Sequence, residues 1–247
     1  MPVGDIRPIK ASLREHYKAL RRQMKPEQKA QRDRQIAARV RGLWQYKRCR
    51  QLLAYVSTAI EVDTLAIIRR ALADGKQVAV PRCVPGTRDM EFYYISGLED
   101  LEPGSFGVLE PRPESCRKAT DFTSGLCLVP ALCYDWRGYR LGYGKGYYDR
   151  FLAGFGGHMI GICYSDCVRR RLPHGRYDRP VELLKVGGNR PLSTSMDGLK
   201  QMEAERRPLY EGAADLCVKN SGEPFSRATK AAQEALYEAF GIERAQP

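Results

Sequence analysis

The sequence predicts an α/β fold in which a mostly parallel sheet lies between layers of helix. Three observations carry that reading. Short apolar runs of strand length recur after residue 50: Gln51–Val56 (QLLAYV), Gln77–Pro81 (QVAVP), Leu126–Pro130 (LCLVP) and Met159–Tyr164 (MIGICY). Helical segments fall between them, such as Thr64–Ala73, which Gly75 is placed to close. The runs are apolar along most of their length instead of alternating, as strands covered on both faces are. Strand and helix in alternation build a parallel sheet, and ligands of such sheets bind beyond the carboxyl ends of the strands. The loops beginning at Ser57 and Ala131 are therefore the places to look for function.

The elements follow in order. Ile9, Leu13, Tyr17, Leu20 and Met24 recur at spacings of four and three, an apolar stripe for one amphipathic helix. Lys10, Arg14, Lys18 and Arg21 run beside it as a basic stripe. A second helix opens at Pro26, a residue suited to a first helical position, and runs towards Trp44. Beyond the four apolar runs, Met90–Ile95 (MEFYYI) reads as a further strand. A short helix begins at about Tyr147, directly after a glycine-rich turn.

Composition narrows the class. The chain has 247 residues, 43% of them hydrophobic, enough to fill a sizeable core. No apolar run reaches the 18 or so residues of a membrane span, and Met1–Lys10 lacks the apolar segment of a secretory signal. The eight cysteines form no CxxC pair, so reduced thiols in the cytoplasm are the expectation. The net charge of +12 is concentrated: residues 1–50 hold 15 Lys and Arg against 4 Asp and Glu. Such a basic region suits nucleic acid or a smaller polyanion such as a nucleotide. The chain has neither an aromatic-and-basic RNA-binding pattern nor zinc-finger spacing, which disfavours the nucleic-acid alternative.

The most informative segment is Asp135–Arg150, DWRGYRLGYGKGYYDR. Gly142, Gly144 and Gly146 alternate with Tyr143 and Lys145. Glycines let backbone amides approach an anion, the lysine adds a point charge, and the following helix turns its positive end to the same place. Asp149 offers a hard oxygen ligand for the Mg²⁺ that accompanies a nucleotide, or else serves as a first-turn helix acid. The segment is not the Walker pattern GxxxxGK[ST], which occurs nowhere in the chain. A tight strand-to-helix turn is the alternative to phosphate binding, and Tyr147 and Tyr148 equally suit core aromatics at a helix start.

With these residues the chain resembles the 5-formyltetrahydrofolate cyclo-ligase family. The likeness rests on Leu128-Val129-Pro130, Asp135 and Arg140-Leu141-Gly142-Tyr143-Gly144-Lys145-Gly146-Tyr147-Tyr148-Asp149. It extends to Lys10-Ala11-Ser12-Leu13-Arg14, Glu61-Val62-Asp63-Thr64, Val80-Pro81-Arg82, Phe106–Pro111, and Leu172-Pro173 with Asp178, in order over roughly residues 8–185. The resemblance implies a three-layer, Rossmann-like domain over residues 1–186. It also implies an activity: conversion of 5-formyltetrahydrofolate to 5,10-methenyltetrahydrofolate with ATP and Mg²⁺, releasing ADP and phosphate. Phosphoryl transfer needs positive charge and a metal more than a protein nucleophile, so no catalytic triad is required. The runner-up is a paralogue with the same fold and ATP loop but another substrate.

The resemblance also implies roles. Lys10 and Arg14 match a basic pair at the ATP phosphates, four apart and so on one helix face. Arg140 through Tyr148, that is Arg140, Leu141, Gly142, Tyr143, Gly144, Lys145, Gly146, Tyr147 and Tyr148, match the nucleotide loop, with Lys145 and Arg140 as the catalytic cations. Asp149 and Asp178 match metal-associated carboxylates. Val56 and Glu61 match folate contacts, joined there by residues 143–147. Tyr143 stands where some members have arginine, which removes one cation. The partner expected is a reduced folate, often carrying a glutamate tail, and neither nucleic acid nor a membrane. Cys163 and Cys167, four apart, and His158 and His174 read as structural residues ahead of metal ligands.

Residues 187–247 exceed that pattern and form a C-terminal extension. Gly187–Leu192, Glu205–Glu211 and Ala213–Asp215 resemble the C-terminal quarter of shikimate kinase. There Arg190 would match a lid residue over ATP, and Arg206 or Arg207 a shikimate contact. The phosphate loop and first three-quarters of that kinase are absent, so a non-catalytic fragment is expected. Ala228, Ala232, Ala235, Leu236 and Ala239 make one small apolar face, so one helix is expected between Pro224 and Gly241.

Overall fold

A computed structural model describes residues 5–187. The tail helix expected between Pro224 and Gly241, and the arginines at 190, 206 and 207, lie outside the described residues. Three helices come first: α1 (Arg7–Arg22), α2 (Pro26–Gly42) and the short α3 (Trp44–Arg48). Then follow β1 (Gln51–Ala54), α4 (Leu65–Ala73), β2 (Gln77–Cys83) and β3 (Met90–Ile95). A two-stranded ribbon, β4 (Leu101–Pro103) and β5 (Leu109–Pro111), precedes the central β6 (Leu126–Val129). Next come β7 (Cys133–Asp135), β8 (Arg140–Leu141), α5 (Tyr147–Ala153), β9 (His158–Tyr164), β10 (Val168–Arg169) and β11 (Leu183–Gly187).

The main sheet has the order β11-β9-β6-β1-β2-β3. Every pairing is parallel except β2 with β3. The chain thus leaves β1 towards β2 on one side, then returns to place β6 on the other. Leu52 of β1 pairs with both Val78 and Leu126, and all three are fully buried. Loops from β1 and β6 diverge at this reversal, and a crevice outside the carboxyl ends of the strands follows from that geometry. A second sheet, β10-β7-β8, lies after the carboxyl end of β6 in sequence and carries the glycine-rich segment forward.

Several expectations shift in detail. The first strand stops at Ala54, so Tyr55 and Val56 belong to the loop that follows. The second continues through Pro81 to Cys83. Its pairing with β1 ends at Ala79, and proline is tolerated where a strand has one neighbour. The second helix ends at Gly42, because Leu43 is extended and Trp44 starts a separate turn. Ile9 leaves the apolar stripe: it is 55% exposed, while Leu13, Tyr17, Leu20 and Met24 pack on the core. Arg21 leaves the basic stripe for the interior, at 4% exposure.

Helix α2 covers β11 closely. A Cβ on Gly187 would lie 2.7 Å from the carbonyl oxygen of Arg32, a main-chain atom that cannot swing aside. Gly187→Ala is therefore expected to destabilise the protein by about 1–3 kcal/mol, the usual range for overpacking. A urea titration of both proteins checks this, and coincident midpoints would mean that the sheet edge shifts freely.

Candidate active site

The basic stripe of α1 docks on the glycine-rich segment. Arg14 donates from Nε to the carbonyl oxygen of Gly142 at 2.9 Å. Its guanidinium lies over Gly144, where a Cβ would stand 3.1 Å from Cζ. Gly144 also has φ of +99°, so both the close approach and the backbone conformation favour glycine there. One turn earlier, Lys10 Nζ meets Asp178 Oδ2 at 2.5 Å. Asp178 is held in a turn of its own, with the amide of Gly175 donating to Oδ2 at 2.7 Å. Lys10, Arg14, Gly142, Gly144 and Asp178 are thus brought together, although 168 residues separate the two ends of the ion pair. Lys18 differs, pairing with Glu15 on its own helix.

The segment itself is built around two carboxylates. Asp135 is buried and accepts from the amides of Arg137, Tyr139 and Leu172, which closes the turn between β7 and β8. Asp149 lies in the first turn of α5, as the helix-acid reading has it. Its Oδ1 accepts from Arg140 at 2.6 Å and from the amide of Arg179 at 3.3 Å. Arg140 is buried, and its other terminal nitrogen donates to the carbonyl of Arg179 at 2.6 Å. Asp149 and Asp178 therefore stand on neighbouring walls, joined through the main chain at 178–179. Arg140, expected as a phosphate cation, is engaged in orienting Asp149. Lys145 is exposed on the loop.

The opposite wall is the loop after β1. Val56 and Glu61 are both buried. Glu61 Oε2 accepts from the amide and hydroxyl of Thr58, each at 2.9 Å. Tyr143 reaches across with its phenol turned to Glu61 and Thr58. Desolvation of that hydroxyl, then the charge of Glu61, push its pKa above the ordinary tyrosine value, although 44% of the residue is exposed. The side chain that replaces an arginine thus faces the acidic loop. Tyr148 packs on the core, and its hydroxyl is buried with no hydrogen-bond partner among the described residues. Tyr147 stays half-buried, its hydroxyl 3.5 Å from the carbonyl of Thr87 in the β2–β3 loop. The core-aromatic reading therefore suits Tyr148 and not Tyr147.

Other residues fall away from this crevice or beneath it. His158 bonds Glu182, and His174 stacks on Tyr139 at 3.7 Å. Cys163 donates to the carbonyl of Cys167 at 3.2 Å, and burial pushes its thiol well up. Among the described residues, no group of three His, Cys, Asp or Glu could hold a metal. Three residues that the sequence reading did not single out for the site lie under Glu61: Arg21, Asp33 and Tyr164. Tyr164 Oη is 2.7 Å from Asp33 Oδ1 and 3.0 Å from the carbonyl of Glu61. Tyr17 and Arg21, four apart on α1, are both buried, and that spacing from a stripe residue is the only trace of the burial in the sequence.

The sequence model of the 5-formyltetrahydrofolate cyclo-ligase family matches residues 7–186. A probable 5-formyltetrahydrofolate cyclo-ligase of Schizosaccharomyces pombe is 30% identical over 165 residues, covering 60% of this chain and 80% of the relative. One of Caenorhabditis elegans is 28% identical over 196 residues, 74% of this chain and 94% of the relative. The solved 5,10-methenyltetrahydrofolate synthetase of Aquifex aeolicus superposes with a TM-score of 0.63 at 27% identity, covering 76% of this chain and 98% of that one.

Asp149→Asn removes the charge that faces a nearly fully buried guanidinium, since the Arg140 side chain is 4% exposed. The expected loss of stability without ligand is about 1.5–3 kcal/mol, the scale of a hydrogen bond to a charged group. Chemical denaturation measures it, and an unchanged midpoint would show that Arg140 does not depend on this carboxylate.

Proposed function

Because the chain belongs to the 5-formyltetrahydrofolate cyclo-ligase family, we propose that it converts 5-formyltetrahydrofolate to 5,10-methenyltetrahydrofolate at the expense of ATP. The observation that carries the proposal is the docking of Arg14 on Gly142–Gly144, with Lys10 one turn away on Asp178, so that cations and a glycine-rich backbone meet beside the β1–β6 crevice. In the proposed reaction the formyl oxygen attacks the γ-phosphorus and ADP leaves. N10 then attacks the activated formyl carbon and loses its proton, and the C–O bond breaks to release phosphate.

The residues divide accordingly. Arg14, Lys10, Lys145 and the amides of Leu141–Gly146 face the phosphates, where charge spreads in a loose transition state. Arg140 acts through Asp149. Magnesium fits the donor set: Asp149 and Asp178 offer hard oxygens on adjacent walls, and Mg²⁺ typically takes one or two carboxylates together with substrate phosphates. When bound it would neutralise phosphate charge. Glu61, Val56 and Tyr143 face the folate, with Glu61 suited to the polar edge of the pterin. Tyr147 closes the nucleotide side, and Tyr148 lies at its floor. The free thiols suit a reducing compartment, which we take to be the cytoplasm. No helix among the described residues is long and apolar enough to cross a membrane.

Two experiments test this. Absorbance of methenyltetrahydrofolate should rise when the protein meets 5-formyltetrahydrofolate and MgATP, and excess EDTA should stop it. In that assay Lys145→Ala should lose about 2–4 kcal/mol of transition-state stabilisation, seen in both kcat and kcat/KM. Folded protein with no absorbance change would favour the paralogue with another substrate, and unchanged kinetics in the variant would remove Lys145 from the reaction.

The extension is proposed to be dispensable, since every assigned ligand lies at or before Asp178. A chain ending after Asn189 keeps all of β11. Its turnover should stay within about threefold of the full chain, roughly 0.7 kcal/mol in barrier. Aggregation or lost ATP affinity in the shortened chain would show that the extension completes the domain.

A further inference from the structure

The loop that carries Glu61 has no regular structure between β1 and α4, yet three successive carbonyls in it are held by side chains, two from other elements and one from the loop's own start. Arg21 of α1 donates to Ile60 at 3.3 Å, Tyr164 of β9 lies 3.0 Å from the carbonyl of Glu61, and Tyr55 donates to Val62 at 3.2 Å. Asp33 of α2 adds a fourth tie by accepting from the amide of Asp63 at 3.2 Å. Asp33 and Tyr164 are themselves joined at 2.7 Å, and Lys29 holds the other carboxylate oxygen of Asp33 at 2.8 Å. Arg21 lies over the Tyr164 ring, 5.5 Å from its centroid. Both Asp33 and Tyr164 are buried.

We propose that Tyr164 and Asp33 are positioning residues for Glu61. The single phenol proton, shared between the Asp33 carboxylate and the carbonyl of residue 61, ties that main chain from below, and Asp33 also accepts from the amide two residues on. The Glu61 side chain, braced by Thr58 and faced by the Tyr143 phenol, then points from a main chain tied on both sides. The inference rests on the reading of Glu61 as a folate contact. Its signature is selective: loosening the pair should weaken folate recognition and leave the ATP side, which is held by α1 and the glycine segment, as it was.

The test is a double-mutant cycle on the full chain, with KM measured separately for 5-formyltetrahydrofolate and ATP. Tyr164→Phe keeps the ring in the core and removes only the hydroxyl, and Asp33→Asn provides a second route to the same loosening. Each should raise the folate KM about tenfold, the equivalent of 1.4 kcal/mol, with the ATP KM within about twofold and kcat less affected. In a Glu61→Gln background, Tyr164→Phe should add almost nothing, because the group it positions has already lost its charge. An equal effect of Tyr164→Phe in both backgrounds, or a parallel rise in both KM values, would overturn the proposal. If Glu61→Gln raises the folate KM and Tyr164→Phe does not, positioning fails and the folate reading stands. If Glu61→Gln leaves that KM alone, or the unaltered protein has no turnover, the folate reading falls and takes the proposal with it.

Discussion

Arg21 leaves water without a carboxylate partner among the described residues, and its two strongest acceptors are main-chain oxygens. Burying an unpaired cation costs several kcal/mol unless hydrogen bonds replace the lost water. Here the replacement comes from Ala131 at 2.6 Å and Ile60 at 3.3 Å. Those carbonyls belong to the loops that follow β6 and β1, the two strands between which the sheet reverses its order. The Nε of Arg21 is buried with no hydrogen-bond partner among the described residues, so the two terminal nitrogens carry the compensation. Reaching these carbonyls draws α1 across the carboxyl ends of the sheet, at the place where a ligand crevice forms.

The position of the remaining cations follows from helix geometry. Residues 10, 14 and 21 fall at intervals of four and seven, so all three project from one side of a helix with 3.6 residues per turn. With Arg21 pinned at the reversal, Arg14 reaches the Gly142 carbonyl and Lys10 reaches Asp178. Two walls with no sequence proximity, the acidic loop after β1 and the glycine segment after β7, are then held by the same helix. Tyr143 closes the arrangement by turning its phenol to Glu61.

Local pattern made the strands legible, because fully apolar runs bounded by Pro and Gly have few other uses. It also revealed the glycine segment, the Lys10–Arg14 pair and the helix start at Tyr147. What stayed hidden depends on distant partners. MEFYYI reads the same whichever way it pairs, so the antiparallel edge of β3 was not visible in it. Strands of two or three residues, such as β8 and β10, are too short to show a period. Arg21 looked like one more member of a solvated basic stripe, since its burial depends on carbonyls 39 and 110 residues away. Nothing local in Asp33, on a helix rich in charge, or in Tyr164 announces the contact between them.

If Arg21 sets the helix, weakening its grip must be felt at a nucleotide site that it does not touch. Arg21→Lys retains the charge but replaces a rigid fork of donors by a single ammonium, which cannot span both carbonyls in the same way. Calorimetric titration of this variant with MgATP is the direct measurement. The account predicts binding weaker by about tenfold or more, a difference of 1.4 kcal/mol, in a protein that still melts cooperatively. MgATP affinity equal to that of the unaltered chain would contradict it.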